Sequence, residues 1–398
     1  MSTASRPPTM PRLFAAAGPS LAENRQCFGE LPEIVGPELI SQLEKAGLSG
    51  RGGAGFPTPR KLAAIHGTKP VVIGNGAEGE PLSHKDATLI SRAPHLVLDG
   101  LQAAAEAVGA HKVYLYLHKN AVPTAEKALE ERRAAGIDPH PVELSTAPDT
   151  FVAGEESAAI RHVEGGPALP RDRTVVSAVS GVHGRPTLVN NVETLANIGL
   201  IARFGADWFR SIGDTVDPGS MLVTLSGALA HPGVVEVPTG VLLTELLARA
   251  GAKDPRAILV GGYHGTWIPA SALEGLRLSR ASLKTVGASP GAGIIHALAP
   301  GVCGLARTAQ IAEYLATESA RQCGPCRNGL PTLAELLDEL AYSRVDDALV
   351  KEIRRVTGLV DGRGSCRHPD GTARMIRSAL MAFASDIEAH RRRGCESA

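Results

Sequence analysis

Apolar and polar positions follow two different rhythms in the first half of the chain. VVIGN at 71–75 is a run of β-branched residues that stops at Asn-Gly, the pattern of a buried strand ending in a turn. APHLVLDGLQAAAEAVGA, residues 93–110, repeats its apolar side chains at helical spacing. KVYLYLH at 112–118 predicts a second strand, and VPTAEKALEERRAAG at 122–136 a helix with a polar face. Strand, helix, strand, helix predicts an α/β sheet covered by helices.

The rhythm changes after Gly205. SMLVTLSGALAHPGVVEVPTGVLLTELLARAG, 220–251, holds two short β-like runs around a Pro-Gly turn and then a helix, and RAILVGGYHGTWIP, 256–269, adds another strand. This predicts a small α+β module. From about Gly304 the pattern is helical: ARTAQIAEYLATESARQ, LPTLAELLDELAY, DDALVKEIRRVTGLV and GTARMIRSALMAFASDIEAHRRR. The expected division is a loose leader over 1–35, an α/β domain over 36–215, an α+β module over 216–300, a helical domain over 301–390 and a tail over 391–398. No internal repeat or low-complexity linker is present.

Composition narrows the function classes. The chain has 398 residues, enough for two or three domains each with its own core, and a formal net charge of zero. Its longest basic block is Arg391–Arg393, so neither nucleic acid nor an anionic membrane is an expected partner. No apolar run reaches the length of a membrane span, and the N-terminal stretch lacks a charged region followed by an apolar core. A cytoplasmic protein is therefore expected, free or as a peripheral part of a larger complex. Six cysteines, clustered toward the C-terminal side, favour metal or redox use over a disulfide framework.

Four segments carry candidate chemistry. GRGGAGFP at 50–57 places Gly50, Gly52, Gly53 and Gly55 close together, so backbone N–H groups can approach an anion without a Cβ in the way. Arg51, Arg60 and Lys61 are placed to neutralise a phosphate, although a tight structural turn would read the same way. NGAEGEP at 75–81 follows a strand directly, which puts Asn75, Glu78 and Glu80 at its carboxyl end, where α/β proteins bind ligands. FVAGEESAAI at 151–160 sets Glu155 and Glu156 after Gly154, and PTLVNNVETLANI at 186–198 offers Asn190 and Asn191. Each of these, taken singly, also reads as a structural turn. In ESARQCGPCRNG, 318–329, Cys323 and Cys326 form a CxxC pair that suits zinc, redox chemistry or neither.

In order and spacing the four segments resemble the NADH-binding flavoprotein subunit of respiratory complex I and its relatives in soluble hydrogenases and formate dehydrogenases. There the stretches read much like GRGGAGFPTG-x-KW, N-x-DESEP, GEET-A and VNNVETLA. The resemblance spans roughly residues 40–385. It implies an α/β flavin-binding domain, a ubiquitin-like β-grasp module of the SLBB type, and an α-helical bundle holding a [4Fe–4S] cluster. It further implies that Gly50, Arg51, Gly52, Gly53 and Lys61 lie at the phosphate of flavin mononucleotide (FMN). Asn75 and Glu78 would line the flavin, with Gly154, Glu155 and Glu156 on its other side and Val189, Asn190 and Asn191 near the phosphate and ribityl chain. Glu156 would sit by the hydride path and Glu155 at the flavin edge.

The same resemblance places the cysteines. The family loop SCG-x-C-x-PCR is followed by one distant cysteine, so Cys323, Cys326 and Cys366 fall on the second, third and fourth ligands, and Ala320 stands at the first. Thiolates suit iron–sulfur clusters as soft, charged donors. With three thiolates the site could hold a [4Fe–4S] cluster with an outside fourth ligand, a [3Fe–4S] cluster, zinc, or nothing. Glu318 and His368 are the near candidates for a fourth bond, and Cys303 is placed a helix away.

The nicotinamide site departs from the family. Phe56 and Glu80 are present as a stacking ring and as the carboxylate at the adenine-side ribose, and Arg173 stands at the family's lysine. Ala64 and Val176 replace two further rings, and Ala77 replaces an aspartate beside the flavin. The wording NGAEGEP and FPTPRKL leans toward the C subunit of Rnf-type NADH:ferredoxin oxidoreductases. The expected function is an FMN and iron–sulfur oxidoreductase subunit that takes electrons from NAD(P)H and passes them to a ferredoxin-like or other iron–sulfur partner. The rivals are an FMN electron-transfer module with no nicotinamide substrate, favoured by the missing rings, and a scaffold without cofactors.

Overall fold

The computed structural model describes residues 10–172, 175–343 and 345–393. β1 (Val71–Gly76), β2 (Lys112–His118), β3 (Val142–Ala147) and β4 (Thr187–Asn191) form a parallel sheet in the order β3-β2-β1-β4. Side chains alternate between its two faces, as the strand repeat requires. Val72, Val113, Leu115 and Leu117 enter one apolar layer, while Val71, Ile73 and Tyr116 enter the other. Helices Pro94–Val108 and Val192–Arg210 cover the first layer. They touch backbone to backbone, because a Cβ on Gly100 would lie 1.7 Å from the Leu195 carbonyl oxygen.

The loose leader is corrected for residues 10–35. Ser20 and Glu23 make a capping box on helix Leu21–Phe28, and Leu13 and Phe28 are buried. The Arg12 guanidinium donates to the carbonyls of Trp208 and Phe209, and the backbone N–H groups of Arg12, Leu13 and Phe14 donate to the buried Glu236 carboxylate. Glu236 lies far along the chain, so no local pattern announces this docking.

The second sheet is mixed. β5 (Ser220–Gly227), β6 (Gly233–Pro238), β7 (Ala257–Val260), β8 (Thr266–Pro269) and β9 (Ile294–Leu298) run in the order β6-β5-β9-β7-β8, with only β5 and β9 parallel. RAILVGGYHGTWIP, expected as one strand, is the β7–β8 hairpin. It turns at Gly261 and Gly262, whose φ of +93° and +80° only glycine adopts without strain. Ile258 and Val260 face the side covered by helix Leu243–Arg249. Ala257 and Leu259 face the C-terminal helices.

Those helices are Gly304–Thr317, Leu330–Tyr342, Asp347–Val360, His368–Ala382 and Ala384–Arg393. The last pair reads as one helix in sequence and is broken at Phe383, whose ring packs 5.2 Å from Trp267 and fills the space a Cβ on Gly304 would need. Among the described residues no helix is long and apolar enough to cross a membrane.

Candidate active site

β4 lies on the opposite side of β1 from β2, so the chain reverses its direction of travel across the sheet between β1 and β4. A crevice opens beyond the carboxyl ends of such a strand pair. Here it is a cavity of about 900 Å³. Its walls are the glycine-rich loop, the segment after β1, the turn Phe151–Gly154 and the end of β4. The β7–β8 hairpin, the loop 289–292 and the start of helix His368–Ala382 close its other sides.

Most of the expected ligand-facing groups are there, but many are already bonded. Asn75 donates to the Gly154 carbonyl at 2.9 Å and accepts from the Ala77 N–H. Glu78 accepts from the Ser83 hydroxyl and the Ala87 N–H. Glu155 caps helix Glu156–Val163 by accepting from the N–H groups of Ser157 and Ala158. Lys61 Nζ lies 2.9 Å from Glu156 and donates to the Val189 carbonyl, and Glu156 also accepts from Ser177. Gly50, Gly52, Gly53, Phe56 and Asn190 all line the cavity, with Phe56 54% exposed.

Arg51 differs from expectation. Its guanidinium is buried, 3.1 Å from Asp217 and bonded to the Pro218 carbonyl, and it is not part of the cavity wall. The glycines on either side of it line the cavity instead. Arg173 lies outside the described residues. Val176 and Ala64, at the positions where rings are missing, are both exposed.

The cavity wall includes a buried charge network. Lys85, 1% exposed, lies 2.6 Å from Asp86 and 2.9 Å from Glu193, and donates to Asn191 Oδ1 at 3.2 Å. Asn191 also donates to Asp86 and to the Asn75 carbonyl. Burial opposes the Lys85 charge, but Asp86, Glu193 and Glu78 outweigh it and raise its pKa. Burial pushes the Asp86 carboxyl up to about 6 against the pull of Lys85. Lys85 was missed in sequence because HKDATL reads as a solvated helix start.

Whether this wall suits a flavin mononucleotide is tested by its unmet hydrogen bonds. Thr58 Oγ1 and Asn190 Nδ2 are buried in the wall and have no protein partner. Buried polar atoms require partners, and a phosphate or a ring carbonyl supplies them. Gly52 adds a close approach, since a Cβ there would press to 3.1 Å on the Asn191 side chain. The residues fit the group.

At the far side the cavity reaches Cys366. The Cys323 sulfur is hydrogen-bonded by Cys326 and Ser365, and Cys326 feels both Cys323 and Cys366, so the three thiols form one corner. Burial and the neighbouring Cys323 push the Cys326 thiol up to about 12. Burial raises Cys366 as well, and the Glu155 carboxylate adds to it. Cys326 stands in a π-turn over Pro325–Gly329. Among the described residues no three His, Cys, Asp or Glu side chains close on a single metal ion. The donor set fits three bonds of a larger sulfur-bridged cluster. Glu318 accepts from the Phe151 N–H, His368 bonds the Leu315 carbonyl at 2.8 Å, and Cys303 pairs with His390, away from the corner.

Known proteins share this arrangement. The model of the Nuo51 FMN-binding domain matches residues 43–200, and that of the NADH-ubiquinone oxidoreductase-F iron–sulfur binding region matches 306–390. The chain is 31% identical over 380 residues to the second F-type subunit of the NADH-quinone oxidoreductase of Rhizobium meliloti, covering 90% of each chain. It is 29% identical over 374 residues to the corresponding F-type protein of Escherichia coli, covering 88% of this chain and 84% of that one. In structure it resembles a chain of the NAD+-reducing [NiFe]-hydrogenase in the H2-reduced state, with a TM-score of 0.83 and 30% identity. The match covers 90% of this chain and 63% of the hydrogenase chain, so this protein spans less than two thirds of that relative.

The site's charges generate two expected outcomes. Lys85→Met leaves two buried carboxylates without their cation and is expected to destabilise the protein by about 3–5 kcal/mol in chemical unfolding. A loss below about 1 kcal/mol, the scale of an exposed pair, would refute the network's role. Glu80, in the cavity wall, is raised from 4.5 to about 7 by burial, against hydrogen bonds from the Tyr263 and Leu82 N–H groups. Its folded form holds the proton more tightly, so its contribution to stability is full below pH 4.5 and falls as pH rises through about 7. Glu80→Gln removes this fall, and melting curves of the two proteins across that window should diverge with the wild type losing ground.

Proposed function

The chain belongs to the family of the NADH-quinone oxidoreductase F-type subunits, and on that premise we propose that it is an FMN- and iron–sulfur-dependent subunit that takes electrons from NADH and passes them to a partner protein. One observation carries the reading. A single cavity is lined at one side by the unpartnered Asn190 amide and the glycine-rich loop, and at the other by Cys366. A donor of electron pairs and an acceptor of single electrons can therefore sit within one enclosure, with no protein layer between them.

In this reading the loop Gly50–Gly53, Thr58, Lys61 and Asn190 hold the phosphate and ribityl end of FMN, while Asn75, Glu78 and Gly154 fix the walls around its ring. FMN held there would supply hydride acceptance and single-electron release, and a cluster held by Cys323, Cys326 and Cys366 would supply one-electron transfer. The protein's own part is positioning. Lys61 and Glu156 pair at 2.9 Å, which places a balanced cation where it can face a phosphate. Glu155, tied down as a helix cap, is held in place beside Cys366. Phe56, exposed beside the cavity, offers the stacking face for a nicotinamide dinucleotide, and Glu80 the carboxylate for its ribose.

Further assignments rest on the same premise. The mixed sheet with helix Leu243–Arg249 supports an SLBB-type β-grasp module over 216–300, between a flavin domain over 36–215 and a cluster domain over 301–390. The acceptor is a ferredoxin-like or other iron–sulfur subunit, and the chain is a cytoplasmic protein that works as a peripheral part of a larger complex. With Ala64 and Val176 exposed where rings would stack, two contacts of roughly 0.5–1.5 kcal/mol each are missing. NADH is accordingly expected to bind about ten-fold to a hundred-fold more weakly than with all three rings.

Full-length protein purified without oxygen should carry flavin, and NADH should bleach its blue absorption; a flavin that stays oxidised at about millimolar NADH would defeat the nicotinamide assignment. Cys366→Ser should lose iron while keeping flavin. Iron equal to that of the wild type would remove Cys366 from the ligand set.

A further inference from the structure

Arg280 belongs to the short helix that follows β8, yet its side chain reaches the glycine-rich loop of the first sheet's domain and lines the cavity. Gly55 receives it: with φ +62° and no side chain, it lets the guanidinium lie on its Cα, where a Cβ would fall 1.9 Å from Arg280 Cζ. The contact works only with glycine at 55. The loop thus makes room for this arginine as well as for a ligand.

The charge around Arg280 is unbalanced. Burial lowers its pKa, and the charged groups it feels are Asp217, which opposes that, and Arg51, which adds to it. Asp217 is a buried carboxylate already bonded by Arg51 at 3.1 Å and by the Ser49 hydroxyl at 2.8 Å. Arg280 Nε stands 3.8 Å from the other Asp217 oxygen, too far for a hydrogen bond, and has no hydrogen-bond partner. Two guanidinium groups share one carboxylate, which leaves a positive charge at the cavity wall. Beside it, Gly52, Gly53 and Gly55 present backbone toward the same space. Guanidinium with glycine-loop N–H groups is a donor set suited to a phosphate, whose oxygens accept the planar fork of an arginine.

We propose that Arg280 is a phosphate-binding residue of this cavity, supplied by the middle module across Gly55 to a nucleotide phosphate. The inference rests on the nucleotide reading of the cavity given above. Two phosphates share the required chemistry, that of FMN and the diphosphate of a nicotinamide dinucleotide. The second is the more useful to this protein, because a charged contact offsets the stacking lost at Ala64 and Val176.

The test uses full-length protein and three readouts: FMN per chain as isolated, and inhibition of NADH oxidation by ADP-ribose and by adenosine. If the diphosphate is the ligand, Arg280→Gln weakens ADP-ribose by about ten-fold to a hundred-fold, the worth of hydrogen bonds to a charged group. Adenosine inhibition stays unchanged, and Arg280→Lys recovers part of the loss. If the flavin phosphate is the ligand, Arg280→Gln instead lowers FMN content and leaves the ratio of ADP-ribose to adenosine affinity as in the wild type. Wild-type flavin content together with wild-type ADP-ribose inhibition in Arg280→Gln overturns the proposal. Should that variant fail to fold, arginine footprinting of the wild type with phenylglyoxal decides. Protection of Arg280 by ADP-ribose or by bound FMN supports the proposal, and equal reactivity in every state overturns it. A wild type that oxidises NADH while Arg280 proves indifferent sinks this inference alone, whereas a wild type without flavin or NADH oxidation sinks the functional reading before any variant is compared.

Discussion

The ammonium of Lys85 is the interaction on which the site's framework depends. A buried charge is tolerated only when it is paired and hydrogen-bonded, so Asp86, Glu193 and Asn191 must stay where they are. They come from separate elements: helix Lys85–Arg92, helix Val192–Arg210 and the end of β4. Glu193 uses its other oxygen to accept the Leu222 N–H of β5, at 2.9 Å. One cation thereby ties the mouth of the first sheet to an inner strand of the second.

This anchoring divides the polar residues of the crevice into two groups. Asn75, Glu78, Glu155 and Asn191 spend their hydrogen bonds on the protein and hold the backbone in place. Thr58 and Asn190 keep an unmet polar atom in the wall, free for a ligand. The adjacent asparagines illustrate the split. Asn191 is locked by the network, and its rigidity fixes the direction in which Asn190 faces. A site built in this way is formed before the ligand arrives, which reduces the ordering cost of binding.

The thiol corner shows a similar trade. Arg321 has φ 52°, a left-handed conformation that costs a side-chain-bearing residue about 1–2 kcal/mol. The conformation lets the Arg321 backbone bond the Cys326 sulfur, which lowers that thiol's pKa against the dominant effect of burial.

Strands β1 and β2 and the helices at 94–108, 122–135, 330–342 and 347–360 were legible in the residue pattern, because their burial repeats at the period of the element itself. The glycine-rich loop, the Asn-Asn pair and the cysteine spacing were legible for a different reason: backbone freedom and thiolate chemistry belong to particular residue types. The sequence by itself therefore determined the α/β beginning, the helical end and which segments line the crevice. It did not disclose that residues 12–14 dock on Glu236, that Arg51 turns away to Asp217, or that Lys85 is buried. Nor did it place Arg280 against Gly55. Each of these is a charge or a hydrogen bond satisfied by a residue distant in the chain, and only the tertiary structure decides which partner a polar group finds when water is removed.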